Sequence, residues 1–443
     1  MFTVAGVRRL MIAFYFLLLV EDVGTTYSKY LPSPFSWAHD LFWLPLPGVK
    51  VRPFDLVMLG ILLVAAARRT SKAPLVAPMR NALLLSAGTV VAWFVYGLAR
   101  GGDARAGSWQ IYLLLTTVLV AFTFAATFQT AEHYATLAKV LVAAAFYRAL
   151  MCWIFYFAYV SPHRIDPLPD FVTTHDDSVL WVDAIIILIV NALEKRARGT
   201  TIRTILGILF VVGAIQWNQR RLAWVSLIMA LVTMFFLLPP GKTRRRVSRI
   251  ALFAAPVIAL YVAIGWGRGE RIFLPLRSLE TVTTTEDLST KARNVENLGL
   301  VATAHTGILG GTGWGHKYIE LSSKYSIAAY FELWQYVPHN SILGLLAYTG
   351  VLGFIGYWLA FPTAVFFNSR MGKLGNTSAV RNAGILGAVQ MIICANEMYG
   401  DMGLFSLKTM YILAGSYAVA MRLPITAGVW PPPRQRQPSG AAR

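Results

Sequence analysis

The chain has 443 residues, 56% of them hydrophobic and 14% charged, with a mean hydropathy of +0.55 and a formal net charge of +19. Soluble domains carry about 25% charged residues, so an ordinary soluble enzyme and a disordered tail are both excluded. The two cysteines, Cys152 and Cys394, lie in apolar runs and offer neither a disulfide framework nor a cysteine metal site.

The first apolar run, 8–20, follows Arg8 and Arg9 as a signal peptide would. Glu21-Asp22 follows it in place of a small-residue cleavage site, so the run reads as an uncleaved helix. Further apolar stretches fall at 54–67, 81–99, 109–128, 140–160, 180–194, 202–217, 222–238, 250–267, 341–360, 382–396 and 405–422. The pattern predicts an all-α, polytopic membrane protein of about 12 transmembrane helices, a single membrane domain over 1–443. It also predicts a long outer segment, 268–340, between spans nine and ten. The Pro-rich end, 423–443, reads as a disordered cytoplasmic tail.

Twelve spans put both termini on one side. Basic residues then gather in the loops of that side: Arg8-Arg9, Arg68-Arg69, Lys195-Arg196-Arg198, the Lys242 to Arg249 run, and Arg370-Lys373-Arg381. The 268–340 segment holds seven basic and seven acidic residues and is formally neutral. Short basic loops on one side follow the positive-inside rule, so the net charge requires no nucleic acid. The expected location is the cytoplasmic membrane, with both termini cytoplasmic.

Several residues are placed to carry chemistry. Arg220 and Arg221, in WNQRRLAW, stand at an outward turn, on the side that topology disfavours for cations. They serve either as snorkelling side chains or as a fork for phosphate oxygens. Arg293 opens an amphipathic helix in the outer segment, and Glu296, three residues on, is a local ion-pair partner for it. The glycines of GGTGWGH (310–316) lack the Lys-Ser/Thr of a nucleotide loop and read as a tight turn.

His339 and Asn340 stand at the outward mouth of span ten. The imidazole is suited to act as a general base, and the alternative is that the pair caps the helix. His305 and His316 compete for the same role. Glu21-Asp22 is a candidate base or divalent-metal pair, solvation being the commoner fate of such a pair. Glu397 and Asp401 are reserve candidates. Arg148, inside span five, is an intramembrane charge whose partner the sequence does not name. No Asp-x-Asp motif is present, and no His spacing suits a metal.

The order QRRLAW (219–224), an Arg-led helix with GGTGWG, and PHNSILGLLAYTGVLGFIG (338–356) resembles the O-antigen ligase and O-antigen polymerase superfamily of bacterial cell-envelope glycosyltransferases. The resemblance covers 205–422. It implies a metal-independent, cofactor-free glycosyltransferase of the C type at the periplasmic face. The implied donor is a glycan on undecaprenyl diphosphate. The implied acceptor is another such glycan, lipid A-core or a protein hydroxyl. In that reading Arg221 and Arg293 bind the diphosphate, Arg220 assists, Asn340 lies in the substrate site and His339 is the base. Spacing to Trp224 makes Arg221 the family's equivalent arginine. The competing expectations are a multi-span transporter or lipid-linked glycan flippase, and a protein-directed oligosaccharyl transferase.

Overall fold

The computed structural model describes residues 4–21, 33–43, 52–67, 74–163, 172–194, 198–268, 270–273, 275–276, 280, 288–328 and 331–431. Among them there is helix and no strand. The helices are α1 (Val4–Val20), α2 (Ala38–Trp43), α3 (Pro53–Ala67), α4 (Ala77–Ala99), α5 (Ala104–Thr127), α6 (Ala131–Phe155), α7 (Asp177–Glu194) and α8 (Arg198–Asn218). After them come α9 (Arg221–Leu237), α10 (Lys242–Gly265), α11 (Leu288–His305), α12 (Ser341–Trp358), α13 (Ala360–Leu374), α14 (Ser378–Gly400) and α15 (Leu407–Thr426).

Seven helical stretches among the described residues are long and apolar enough to cross a membrane. Two shorter apolar helices, over Pro53–Ala66 and Arg221–Leu237, accompany them. Side-chain caps start some of the helices. Asp103 caps α5 by accepting from Ala106 N at 2.7 Å, and Ser406 caps α15 by accepting from Thr409 N at 3.2 Å.

α15 is buried along nearly its whole length and forms the centre of the bundle. It packs chiefly on α5 and α14. α10 is the opposite case, for none of its apolar stretch is buried.

The helix ends sort into two groups. At one, Arg8 donates to Thr127 O at 3.2 Å, Arg422 donates to Ala125 O at 2.8 Å, and Asn382 donates to Glu194 Oε2 at 2.7 Å. These bonds gather the starts of α1 and α14 with the ends of α5, α7 and α15. At the other, Met402 N donates to His339 O at 2.7 Å and Asp103 N donates to Gly315 O at 2.8 Å.

Two boundaries differ from those expected of the sequence. The stretch read as a span over 341–360 is broken at Gly350, which has φ 60°. The loop carbonyl of Leu309 lies where a Cβ on Gly350 would meet it at 2.4 Å, so only glycine fits the break. Helix resumes beyond it and continues, with one turn at Leu359, to Leu374. The 24 residues 351–374 are about 36 Å long, sufficient to span without the part before the break.

The tail also begins later than 423. α15 continues to Thr426, and Trp430 packs edge-on against Phe367 at 5.0 Å. Residues 432–443 of the expected tail lie outside the described residues.

Candidate functional site

The site is built at a turn where three chain segments meet. α8 ends at Asn218, Gln219 takes a left-handed φ of 50°, and Arg220 is the extended residue that starts α9. Buried Asn218 accepts from Val172 N at 2.9 Å and Thr173 N at 2.8 Å, and so draws the loop before α7 onto this turn. That loop delivers His175. The end of α14 supplies Asp401, which is 6% exposed.

Asp401 is the hub. Arg220 Nη2 and His175 Nδ1 meet its Oδ2, the latter at 2.7 Å, while Arg293 Nη2 lies 3.8 Å from Oδ1. Arg293 also donates to Gly400 O through Nη1. Burial alone would raise the Asp401 carboxyl. The surrounding His175, Arg220 and Arg293 outweigh that and hold it well below the ordinary carboxylate range. The cluster thus sets two arginines against one carboxylate, with Arg293 about a third exposed and Arg220 half-buried.

His339 joins the cluster through backbone. Its carbonyl accepts from Met402 N, the residue after Asp401. Met402 has φ 51°, and Gly403 follows it at a point where a Cβ would meet Met398 N at 2.5 Å. The turn is therefore tight and fixes the loop carrying His339.

Glu296, from α11, then accepts both the His339 backbone N–H and Nδ1, each at 2.8 Å. A carboxylate on Nδ1 fixes the tautomer with the proton there, leaving the Nε2 lone pair available. Among the described residues Nε2 has no protein partner.

The structure therefore brings Arg220, Arg293 and His339 to one end of the bundle. Of the adjacent arginines it is Arg220 that reaches Asp401. Arg221 begins α9 half-buried and is not among Asp401's partners. Asn340 caps α12, accepting from Leu343 N at 3.1 Å, with only 8% exposure. Glu296 does not serve as the local partner of Arg293, because it is spent on His339. His305 is exposed at the end of α11, and His316 Nε2 lies 3.2 Å from Gly97 O.

The glycine turn is structural. Gly313 N donates to Tyr348 O at 2.7 Å and Gly315 N to Gln110 Oε1 at 2.6 Å, so these donors are not available to a phosphate. Glu21, expected to be solvated, is 2% exposed and lies 2.9 Å from His39 Nδ1. Asp22 lies outside the described residues.

Arg148 acquires a partner: Asp177 accepts from its Nη2 at 2.7 Å and from Lys408 Nζ at 2.8 Å, all three being essentially inaccessible to solvent. Among the described residues no three His, Cys, Asp or Glu side chains are placed to hold a metal ion.

Sequence reasoning missed His175 and the pairing of Glu296 with His339. The His-Asp-Asp run at 175–177, beside Thr173-Thr174, was the one local sign of the first. Compared with protein-family models and with curated proteins, the chain matches none.

Proposed function

We propose that the protein is a membrane glycosyltransferase that moves a glycan from a lipid-linked diphosphate to a hydroxyl acceptor at the outer face of the cytoplasmic membrane. The preferred acceptor is a second lipid-linked glycan, which makes the reaction a polymerisation. The observation that carries this reading is the His339–Glu296 dyad, tied through Met402 to the turn on which Arg220 and Arg293 converge.

Orientation follows from charge. The end of the bundle opposite the site carries Arg8, Arg370, Lys373, Arg381 and Arg422, and the positive-inside rule makes that end cytoplasmic. The twelve-span topology expected from the sequence puts the site at the outer face.

The chemistry is balanced by these groups. The acceptor oxygen attacks the anomeric carbon, and its proton passes to His339 Nε2. The bond from that carbon to the diphosphate oxygen breaks, and the electron pair leaves with the diphosphate. Arg220 and Arg293 meet the negative charge that develops there; fixed cations at a leaving group lower the barrier without reorganising. Asp401 and His175 hold the arginines in place beforehand. Glu296 orients the imidazole, and Asn340 sets the start of the helix behind it.

The test is analysis of lipid-linked and surface glycans after deletion of the gene and complementation. Accumulation of single repeat units on the lipid is expected for a polymerase, and full-length chains for a ligase. His339→Ala should reduce transfer by roughly 10²–10⁴-fold, the range for a positioned proton acceptor, and Glu296→Gln by less. Arg220→Ala and Arg293→Ala should also accumulate donor. Normal glycans with His339→Ala, in protein inserted at wild-type level, would refute the assignment.

A further inference from the structure

A second line of titratable groups runs from the far end of the bundle to the site, and the transfer reaction uses none of its interior. α7 and α14 are antiparallel and pinned at the cytoplasmic end by the Asn382–Glu194 bond. On α7 the residues Glu194, Asn191, Ile187 and Asp183 share one face by helical spacing. On α14 the facing row is Asn382, Leu386, Gln390, Cys394, Glu397 and, just past the helix end, Asp401.

Counted at 1.5 Å per residue from the Asn382–Glu194 level, Asp183 lies about 16 Å deep, Glu397 about 22 Å and Asp401 about 28 Å. The row therefore crosses most of a hydrocarbon core of about 30 Å.

The cytoplasmic half of the row is open. A cavity of about 150 Å³ is lined by Glu194, Asn191 and Asn382 at its mouth and by Tyr15, Ile187 and Gln390 at its deep end. It is roomy enough for several waters, and Asn191, Asn382, Gln390, Glu194 and Lys139 offer polar partners along its largely apolar wall. Asp183 stands one turn beyond Ile187 on the same face.

Asp183 is 1% exposed and Glu397 is fully buried, and none of their four carboxyl oxygens has a hydrogen-bond partner among the described residues. Buried carboxyls left without partners inside a membrane bundle are costly and demand a use. Tyr15 from α1 lies near enough to Asp183 to interact with it electrostatically. Cys394, whose thiol donates to Thr409 O at 3.6 Å, stands between the two acids in the α14 row and feels both. Glu397 is faced in turn by Asp401 and Asp176, with Arg220 and Arg293 beyond them.

We propose that the α7–α14 interface conducts protons between the cytoplasmic cavity and the site, with Asp183 and Glu397 as the relay. Each hop carries one proton and its charge: a carboxylic acid gives its proton to the next water or carboxylate and takes one from the group behind, so each acid returns to its starting state. No oxidant or co-reactant is consumed. The relay stands on this geometry alone and goes beyond the transferase reading, although it ends at the same cluster.

The experiment is proton flux into vesicles of phosphatidylethanolamine and phosphatidylglycerol containing the full chain and an internal pH dye. A valinomycin potassium potential supplies the driving force, and no glycan substrate is present. Flux well above that of empty vesicles is expected. Asp183→Asn and Glu397→Gln should each reduce it roughly a hundredfold, as expected for loss of a positioned proton carrier. Asn191→Leu, which fills the cavity mouth without touching either acid, should reduce it as well and guards against misfolding of the acid variants.

Wild-type vesicles no more permeable to protons than empty ones would overturn the proposal. So would Asp183→Asn or Asn191→Leu conducting at the wild-type rate. Glycan transfer assayed separately keeps the two claims apart, since lost transfer with intact flux counts against the transferase reading alone.

Discussion

Asp401 shows how one buried carboxylate organises a cationic site. Its oxygens face Arg220, Arg293 and His175, so the protein holds it ionised at pH values where an exposed carboxyl would begin to protonate. A depressed folded-state pKa contributes stability that is fully present above the unfolded value, about 4, and is lost only as pH falls through the folded value. The melting-temperature gap between wild type and Asp401→Asn should thus not narrow from pH 7 to pH 5 and should close only in stronger acid. A gap that narrowed between pH 7 and pH 5 would show that the carboxyl is not so held. The same scale shows what a sequence can and cannot disclose. His339, Arg220 and Arg293 stand out locally, as a His-Asn before an apolar run or as cations in the wrong loop. Glu296 looks like the partner of Arg293 because an i,i+3 pair is visible on one helix. Its actual partner is 43 residues away, and only tertiary packing joins them.

At the scale of elements, the charge buried among α6, α7 and α15 fixes how those helices meet. Arg148 and Lys408 share Asp177, two cations on one anion, with essentially no exposure. Asp177→Asn removes the carboxylate that both cations contact, leaving Asp176 as the acid near Lys408, and should cost about 3–5 kcal/mol, the range for breaking a buried pair. Arg148→Met leaves Lys408 with Asp177, a neutral pair, and should cost distinctly less. Thermal unfolding in detergent reads both, and equal losses would mean that packing around the guanidinium, not charge balance, sets the stability. The sequence marks Arg148 as anomalous but not its partner, because Asp177 belongs to a different helix and reads there as an ordinary acidic first turn. Most helix positions were legible, since apolar length sets them, but the short α2 was not, and α13 runs to Leu374 where a basic loop was expected. The break at Gly350 was not, because it answers to the close approach of Leu309 and Gly310 rather than to any feature of its own segment.

For the whole molecule, composition already pointed to helices apolar enough to cross a membrane, and seven such stretches stand among the described residues. The buried centre was beyond its reach. α15 carries Lys408 and Arg422 and is less apolar than α9, yet it is the helix enclosed on all sides, because its two cations find an acid and a carbonyl inside the bundle.

Among the described residues, α10 is moored near its ends. Arg244 lies over the ring of Phe235 at 4.9 Å, and Tyr261 donates to Ile272 O at 2.6 Å close to where Gly265 meets Phe273. Between those moorings Leu252, Phe253, Val257 and Leu260 are exposed. A rod held in this way takes its tilt from acyl-chain length, at a cost of fractions of a kcal/mol per Å of mismatch. Because the chain passes from this rod into the segment bearing Arg293, turnover should peak at one acyl length in a series of synthetic bilayers. A flat profile would mean that the tether transmits nothing. A peaked profile would make the surrounding lipid a rheostat on the protein, set by thickness and needing no ligand.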